Sequence, residues 1–179
     1  MPFPDRIVLI GFMGSGKTTV GGILGRRLGR LFIDTDALVV QRAGKSVARI
    51  FADDGEAGFR DAEAAALQGL ARRGGIVVAT GGGAPAEPRN AWFFGEGAAT
   101  FHLRVSLAAA RERTRHDRGR PLLQRPDDQV QLLHERRFSL YERLGAGVDT
   151  DGRSPLEVAE EIVRILEGPM PSPRPGGGA

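Results

Sequence analysis

"LIGFMGSGKTTVG", residues 9–21, places four glycines, one lysine and two threonines between an apolar run and a helix-like segment. From Gly11 to Thr18 it matches the pattern G-x-x-x-x-G-K-[ST]. Glycines let successive backbone N–H groups turn inward as an anion nest, and a helix starting there points its positive dipole end at the same anion. The lysine of such a loop reaches β- and γ-phosphates, and the hydroxyl that follows can ligate Mg²⁺. Gly14, Ser15, Gly16, Lys17, Thr18 and Thr19 form the candidate cradle, with Thr18 a candidate metal ligand. A glycine-rich turn without a ligand has similar letters, but this one follows a strand-like run and opens a helical pattern, as the chemistry requires. The stretch reads as a nucleoside-triphosphate site.

Working outward, short apolar runs at 6–12, 31–34, 75–80, 98–105 and 147–150 read as buried strands. Residues 17–29, 36–43, 46–52, 55–73, 106–114, 127–144 and 154–167 have helical composition and spacing. Strands alternating with helices predict an α/β fold, a parallel sheet covered on both faces. Ser46 and Ser154 are candidate N-caps, the second followed by Pro155 at the first helical position. A length of 179 residues suits one compact domain, taken as 1–167, and the Pro/Gly-rich stretch 168–179 reads as a disordered tail. Residues 113–126, basic and broken by Gly and Pro, read as a mobile lid or a solvated loop.

Composition narrows the function classes. No run approaches the roughly 20 apolar residues of a membrane span, and "MPFPDRIVLIG" has no signal-peptide pattern. The chain has no cysteine, so disulfides and thiolate metal sites are excluded and a cytoplasmic location is the expectation. Net charge is +3, yet the pI is 10.1, because Lys17 and Lys45 are the only lysines and the other basic residues are arginines. Compositional bias accounts for many arginines, but bidentate binding of anions is the task for which arginine surpasses lysine. Aromatics are 6% and acids are scattered throughout, so nucleic-acid binding is not expected.

Neither lysine follows an asparagine, so the guanine-reading Asn-Lys-x-Asp of a GTPase is absent. The acids that matter follow the second strand, as Asp34-Thr35-Asp36. Two carboxylates at i and i+2 on an extended segment point the same way. One can hold hydrated Mg²⁺ near the nucleotide while the other faces an acceptor hydroxyl. The competing reading has Asp36 capping the next helix and Asp34 solvated.

In order and spacing, "GFMGSGKTTVG", "FIDTD", "IFADDGEAGFR", "TGGGA", "RGRPLL" and "RRFSLYE" resemble the shikimate kinase family over roughly residues 6–166. The resemblance implies a three-layer P-loop kinase fold with a five-stranded parallel sheet in order 2-3-1-4-5. It implies a substrate-binding region at about 35–62 and a lid at about 113–126. It implies transfer of the γ-phosphate of ATP to the 3-hydroxyl of shikimate, in aromatic amino-acid biosynthesis. Arg60 and Arg137 match the family's carboxylate-binding arginines. Asp36 matches the residue on the ring hydroxyls, and Gly81, Gly82 and Gly83 match the loop that lies close to the substrate. Lys17, Thr18 and Asp34 would organise phosphates and Mg²⁺, and Arg120 matches the lid arginine over the γ-phosphate. Lys17, Asp36 and Arg120 are thus the catalytic candidates. Arg113 and Pro155 match the residues on the two faces of adenine, and the lid also carries Arg115, Arg118 and Arg125.

His102, His116 and His134 show no metal-site spacing, and Trp92 and Tyr141 read as packing. Phe51 and Phe59 suit either a pocket wall or the core. A gluconate kinase on the same fold is the alternative enzyme, and a nucleotide-binding regulatory module the alternative class. A monomer acting on small molecules is the expectation.

Overall fold

The computed structural model describes residues 4–95, 97–116 and 126–168. Parallel strands β1 (Arg6–Ile10), β2 (Leu31–Asp34), β3 (Ile76–Ala79), β4 (Ala98–Arg104) and β5 (Ala146–Asp149) form one sheet in the order β2-β3-β1-β4-β5. The helices between them are α1 (Lys17–Leu28), α2 (Thr35–Ala43), α3 (Val47–Gln68), α4 (Leu107–Thr114), α5 (Asp127–Leu144) and α6 (Pro155–Glu167).

Both faces of the sheet are covered, and β1 shows how. Ile7 and Leu9 pack with Val20, Leu24, Val158 and Ile162 of α1 and α6, whereas Val8 and Ile10 pack with Leu67 of α3 and Tyr141 of α5. Side chains alternate along a strand, so a run that is apolar at every position has two apolar faces and needs two helical layers. α6 follows its expected start closely. Ser154 accepts from Glu157 N, Glu157 reaches back to Ser154 N, and Pro155 opens the helix, a complete capping box.

The separate helices expected at 46–52 and 55–73 follow one another within α3, divided at Gly55 (φ 70°, ψ −175°), a non-helical conformation that a side chain would disfavour. Some details depart from expectation. Two 3-10 segments, Ala84–Ala86 and Pro88–Phe94, occupy a stretch assigned no element. The extended geometry assumed for Asp34-Thr35-Asp36 ends at Asp34, which is itself the N-cap of α2 and accepts from Asp36 N and Ala37 N. Asp36 therefore lies in the first helical turn rather than capping it. Most of the lid segment, 117–125, and the tail from 169 onward lie outside the described residues.

The sheet order places the site. Strand direction of travel splits at β1, with β3 on one side and β4 on the other, and such a switch point opens a crevice at the carboxyl ends of the strands. The glycine-rich loop leaves β1 there, Asp34 ends β2, and Gly81–Gly83 follow β3.

Candidate active site

One cleft of about 650 Å³ opens at that edge. On one side lies the loop after β1. Gly14 and Gly16 take left-handed φ of 81° and 89°, and Gly16 is the N-cap of α1 with no side-chain cap. A Cβ at Gly14 would stand 2.9 Å from the Ala110 carbonyl oxygen, so the position has no room for one. Ser15 is buried, while Lys17, Thr18 and Thr19 line the cleft. Lys17 Nζ donates to the carbonyls of Gly11 (2.8 Å) and Phe12 (3.1 Å), folded over the loop it serves. Thr18 Oγ1 donates to Asp34 Oδ2 at 2.7 Å.

Arg113 and Pro155 border the same side. The Arg113 guanidinium donates to Gly14 O, Thr150 Oγ1 and Thr150 O, so it bridges the glycine loop and the turn after β5. Arg153, not singled out from the sequence, also lines the cleft and ties that turn to α6 through Asp149 O, Glu157 O and Glu161.

Across the cleft stand Asp36, Arg60, Arg137 and the three glycines. Gly81 N donates to Thr35 Oγ1 at 2.9 Å, pinning the glycine loop to the start of α2. A Cβ at Gly81 would overlap Glu63 Oε1 and crowd Asp36 Oδ1. One at Gly82 would lie 3.0 Å from Arg137 Nη1, and one at Gly83 would overlap the Arg60 guanidinium. The missing side chains are space for the charged groups. Tyr141, fully buried, donates its hydroxyl to Gly82 O, and burial pushes its pKa up to about 12.

Arg60 donates to Glu63 Oε2 (2.5 Å) and Glu56 Oε1 (3.1 Å). Burial works against its charge, but the Glu63 and Glu56 carboxylates together outweigh burial and raise the guanidinium pKa above its ordinary value. Glu63 responds the other way. It is fully buried, and burial, aided by Asp36, raises its carboxyl above 4.5 despite Arg60 and Arg137. The pair thus favours the Arg60 cation, while burial disfavours the Glu63 carboxylate. Glu63 Oε1 has no hydrogen-bond partner among the described residues.

Glu63, like Arg153, is a cleft residue that the sequence did not single out. Its one local signal is the spacing, i+3 from Arg60 on a helix. Phe51 and Phe59 stack at 4.9 Å, and both line the cleft while belonging to the α2–α3 core cluster, so the two readings of these rings hold together. Arg120 lies outside the described residues.

The shikimate kinase family model matches residues 13–167. This chain belongs to the shikimate kinase family. The shikimate kinase of Halorhodospira halophila is 44% identical over 168 residues, covering 92% of this chain and 95% of that one. Among solved structures, the shikimate kinase of Acinetobacter baumannii in complex with shikimate superposes with a TM-score of 0.88 at 33% identity, over 92% of this chain and 93% of that one. A gluconokinase from Sinorhizobium meliloti gives a TM-score of 0.61 at 23% identity, over 93% and 94% of the two chains, a likeness of fold alone.

For a family that uses ATP, the donor set beside the loop fits a hydrated divalent cation. One hydroxyl and one carboxylate in direct contact is a hard-oxygen pair, and Mg²⁺ characteristically takes one or two protein oxygens, phosphates and water. Among the described residues no group of three or more His, Asp or Glu side chains is placed to hold a metal without phosphate. His134 lies against Val105 O and His116 against Arg115, neither facing the cleft.

Proposed function

We propose that the chain transfers the γ-phosphate of ATP to the 3-hydroxyl of shikimate, giving shikimate 3-phosphate and ADP. The observation that carries this reading is the pair Arg60 and Arg137. Both are buried, and both converge on a side-chain-free glycine loop in the cleft that also holds the phosphate loop. Two guanidinium groups suit one carboxylate, and Asp36 beside them suits hydroxyls. The backbone N–H groups of 14–19 would hold the phosphates, with Lys17 exchanging loop carbonyls for β- and γ-phosphate oxygens. Thr18 and, through water, Asp34 would hold Mg²⁺, which neutralises phosphate charge. Asp36 would orient the attacking hydroxyl, and Arg113 and Pro155 would flank adenine.

Phosphoryl transfer depends on positioning and charge stabilisation more than on covalent chemistry from the protein. Arg120 would supply the last positive charge from a lid spanning about 113–126. Closure excludes water, which would otherwise accept the phosphate. The same reading takes 1–167 as one domain and 168–179 as a tail without a role in the chemistry. It takes the protein as a cytoplasmic monomer acting on small molecules without nucleic acid or membrane. Among the described residues no helix is long and apolar enough to cross a membrane.

The test is ADP release with ATP and Mg²⁺ in the presence of shikimate, gluconate or no acceptor. Release that requires shikimate and ignores gluconate is the expected result. Release driven by gluconate, or by neither acid, refutes the reading.

A further inference from the structure

His102 sits in β4, an interior strand of the sheet, paired with Ile10 of β1 and Gly147 of β5, and is buried. It takes no part in the cleft lining. A buried imidazole in a central strand costs desolvation unless it is satisfied, so its contacts indicate what it is for. Its Nδ1 lies 2.7 Å from Glu142 Oε1. Arg104, two residues along the same strand, grips the same carboxylate in a fork, Nε to Oε1 and Nη2 to Oε2, each 2.7 Å. Both partners hold Glu142 ionised, and an ionised carboxylate only accepts, so His102 carries its hydrogen on Nδ1. Gly147 completes the arrangement, because a Cβ there would overlap the Arg104 guanidinium.

The imidazole is also packed edge-on against two rings of α5, Phe138 at 5.0 Å and Tyr141 at 5.2 Å. Three side chains of one helix, spaced i, i+3 and i+4, therefore meet a single strand residue. One neighbour of these residues, Arg137, lines the cleft. Arg137 precedes Phe138, and Tyr141, one turn on, bonds the Gly82 carbonyl. A helix is stiff along its axis, so a slip at 138–142 carries Arg137 with it.

We propose that His102 is a positioning residue for shikimate binding: through Glu142, Phe138 and Tyr141 it sets the register of α5, and so the placement of Arg137 and of the Gly82 loop. The ATP side is built mainly from α1, α4 and α6, and α5 meets it only at its N-terminal half, where Val130, Leu133 and His134 pack on Phe12 and Met13, a turn or more before the His102 contacts. This inference rests on the shikimate reading for its kinetic signature, though not for its structural one.

The test uses the full chain with His102→Phe, which keeps a ring of similar size but removes the donor. His102→Asn, whose amide nitrogen can stand where Nδ1 stood, is its partner. Expected is a rise in the shikimate KM of about tenfold in His102→Phe, the scale of one charge-assisted hydrogen bond, with the ATP KM within twofold. His102→Asn should recover most of that loss. An unchanged shikimate KM in His102→Phe, a parallel rise in both KM values, or no recovery in His102→Asn overturns the proposal. Should His102→Phe fail to fold, Glu142→Gln replaces it, with the same substrate-selective rise expected and its absence equally decisive. If the wild-type protein does not use shikimate, amide hydrogen exchange over residues 138–144 still decides the matter. Faster exchange in His102→Phe than in His102→Asn supports the register role, and equal exchange refutes it.

Discussion

Arg60 joins three kinds of information: a motif position, a buried ion pair and a glycine that gives it room. In the proposed reading it binds the substrate carboxylate, and losing such charged hydrogen bonds costs about 1.5–3 kcal/mol. Arg60→Ala should therefore raise the shikimate KM by about 10- to 150-fold and the ATP KM far less, a split read from initial rates. Equal effects would remove Arg60 from carboxylate binding. Gly83→Ala approaches the same group from the other side. The new methyl would overlap a guanidinium already held by Glu63 and Glu56. We expect an Arg60-like rise in shikimate KM with ATP binding intact, and an unchanged KM would show that the guanidinium moves aside freely. Arg60 and Gly83 were legible in the sequence as motif letters. Glu63 was not, since a charged residue on a helix reads as solvated until the fold buries it.

At the scale of elements, caps and buried pairs make separable contributions. Ser154 caps α6 in a reciprocal box with Glu157. Ser154→Ala should cost about 1 kcal/mol, seen as a lower urea midpoint with unchanged shikimate KM. The strand β4 and helix α5 share a pH-sensitive joint. Burial lowers the His102 pKa from its ordinary 6.5, and Arg104 and Lys17 add to this, while Glu142 opposes them. The folded state thus binds fewer protons than the unfolded chain. Stability should fall as pH drops below about 6.5, and the loss should level off once pH passes below the depressed folded value. Glu142, itself held below 4.5, loses its contribution only at lower pH. Urea midpoints at pH 7.5 and 5.5 check this, because His102→Phe should lose the part of the acid sensitivity that belongs to the imidazole. An identical pH response in both proteins would contradict it. The sequence indicated β4 and α5 as elements, but no periodicity tells which strand residue meets which helix residue.

For the whole molecule, the two-faced sheet concentrates stability where the site is suspended. Phe101 of β4 is fully buried among α1 and α6 side chains. Phe101→Ala should cost about 3–5 kcal/mol, a large part of the roughly 5–15 kcal/mol of a typical domain. Denaturant unfolding with an unchanged slope and a much lower midpoint would show it, and a shift below about 1 kcal/mol would contradict the packing described. That site is placed by sheet order rather than by chain order. Lys17, Asp34 and Gly81 are far apart in sequence and meet because β2, β3 and β1 lie side by side with their carboxyl ends together.

The sequence by itself determined the phosphate loop, the alternation of strands and helices, and the charged motif residues, because each is written in local spacing and local backbone demands. It also determined the start of α6, where a serine, a proline and a glutamate act within one turn. Only the tertiary structure decided that Asp34 caps α2 while receiving the Thr18 hydroxyl, that Glu63 is buried against Arg60, and that His102 grips α5. Each of those depends on which distant segments pack together and on how much water is excluded between them. Neither quantity can be read from neighbours along the chain.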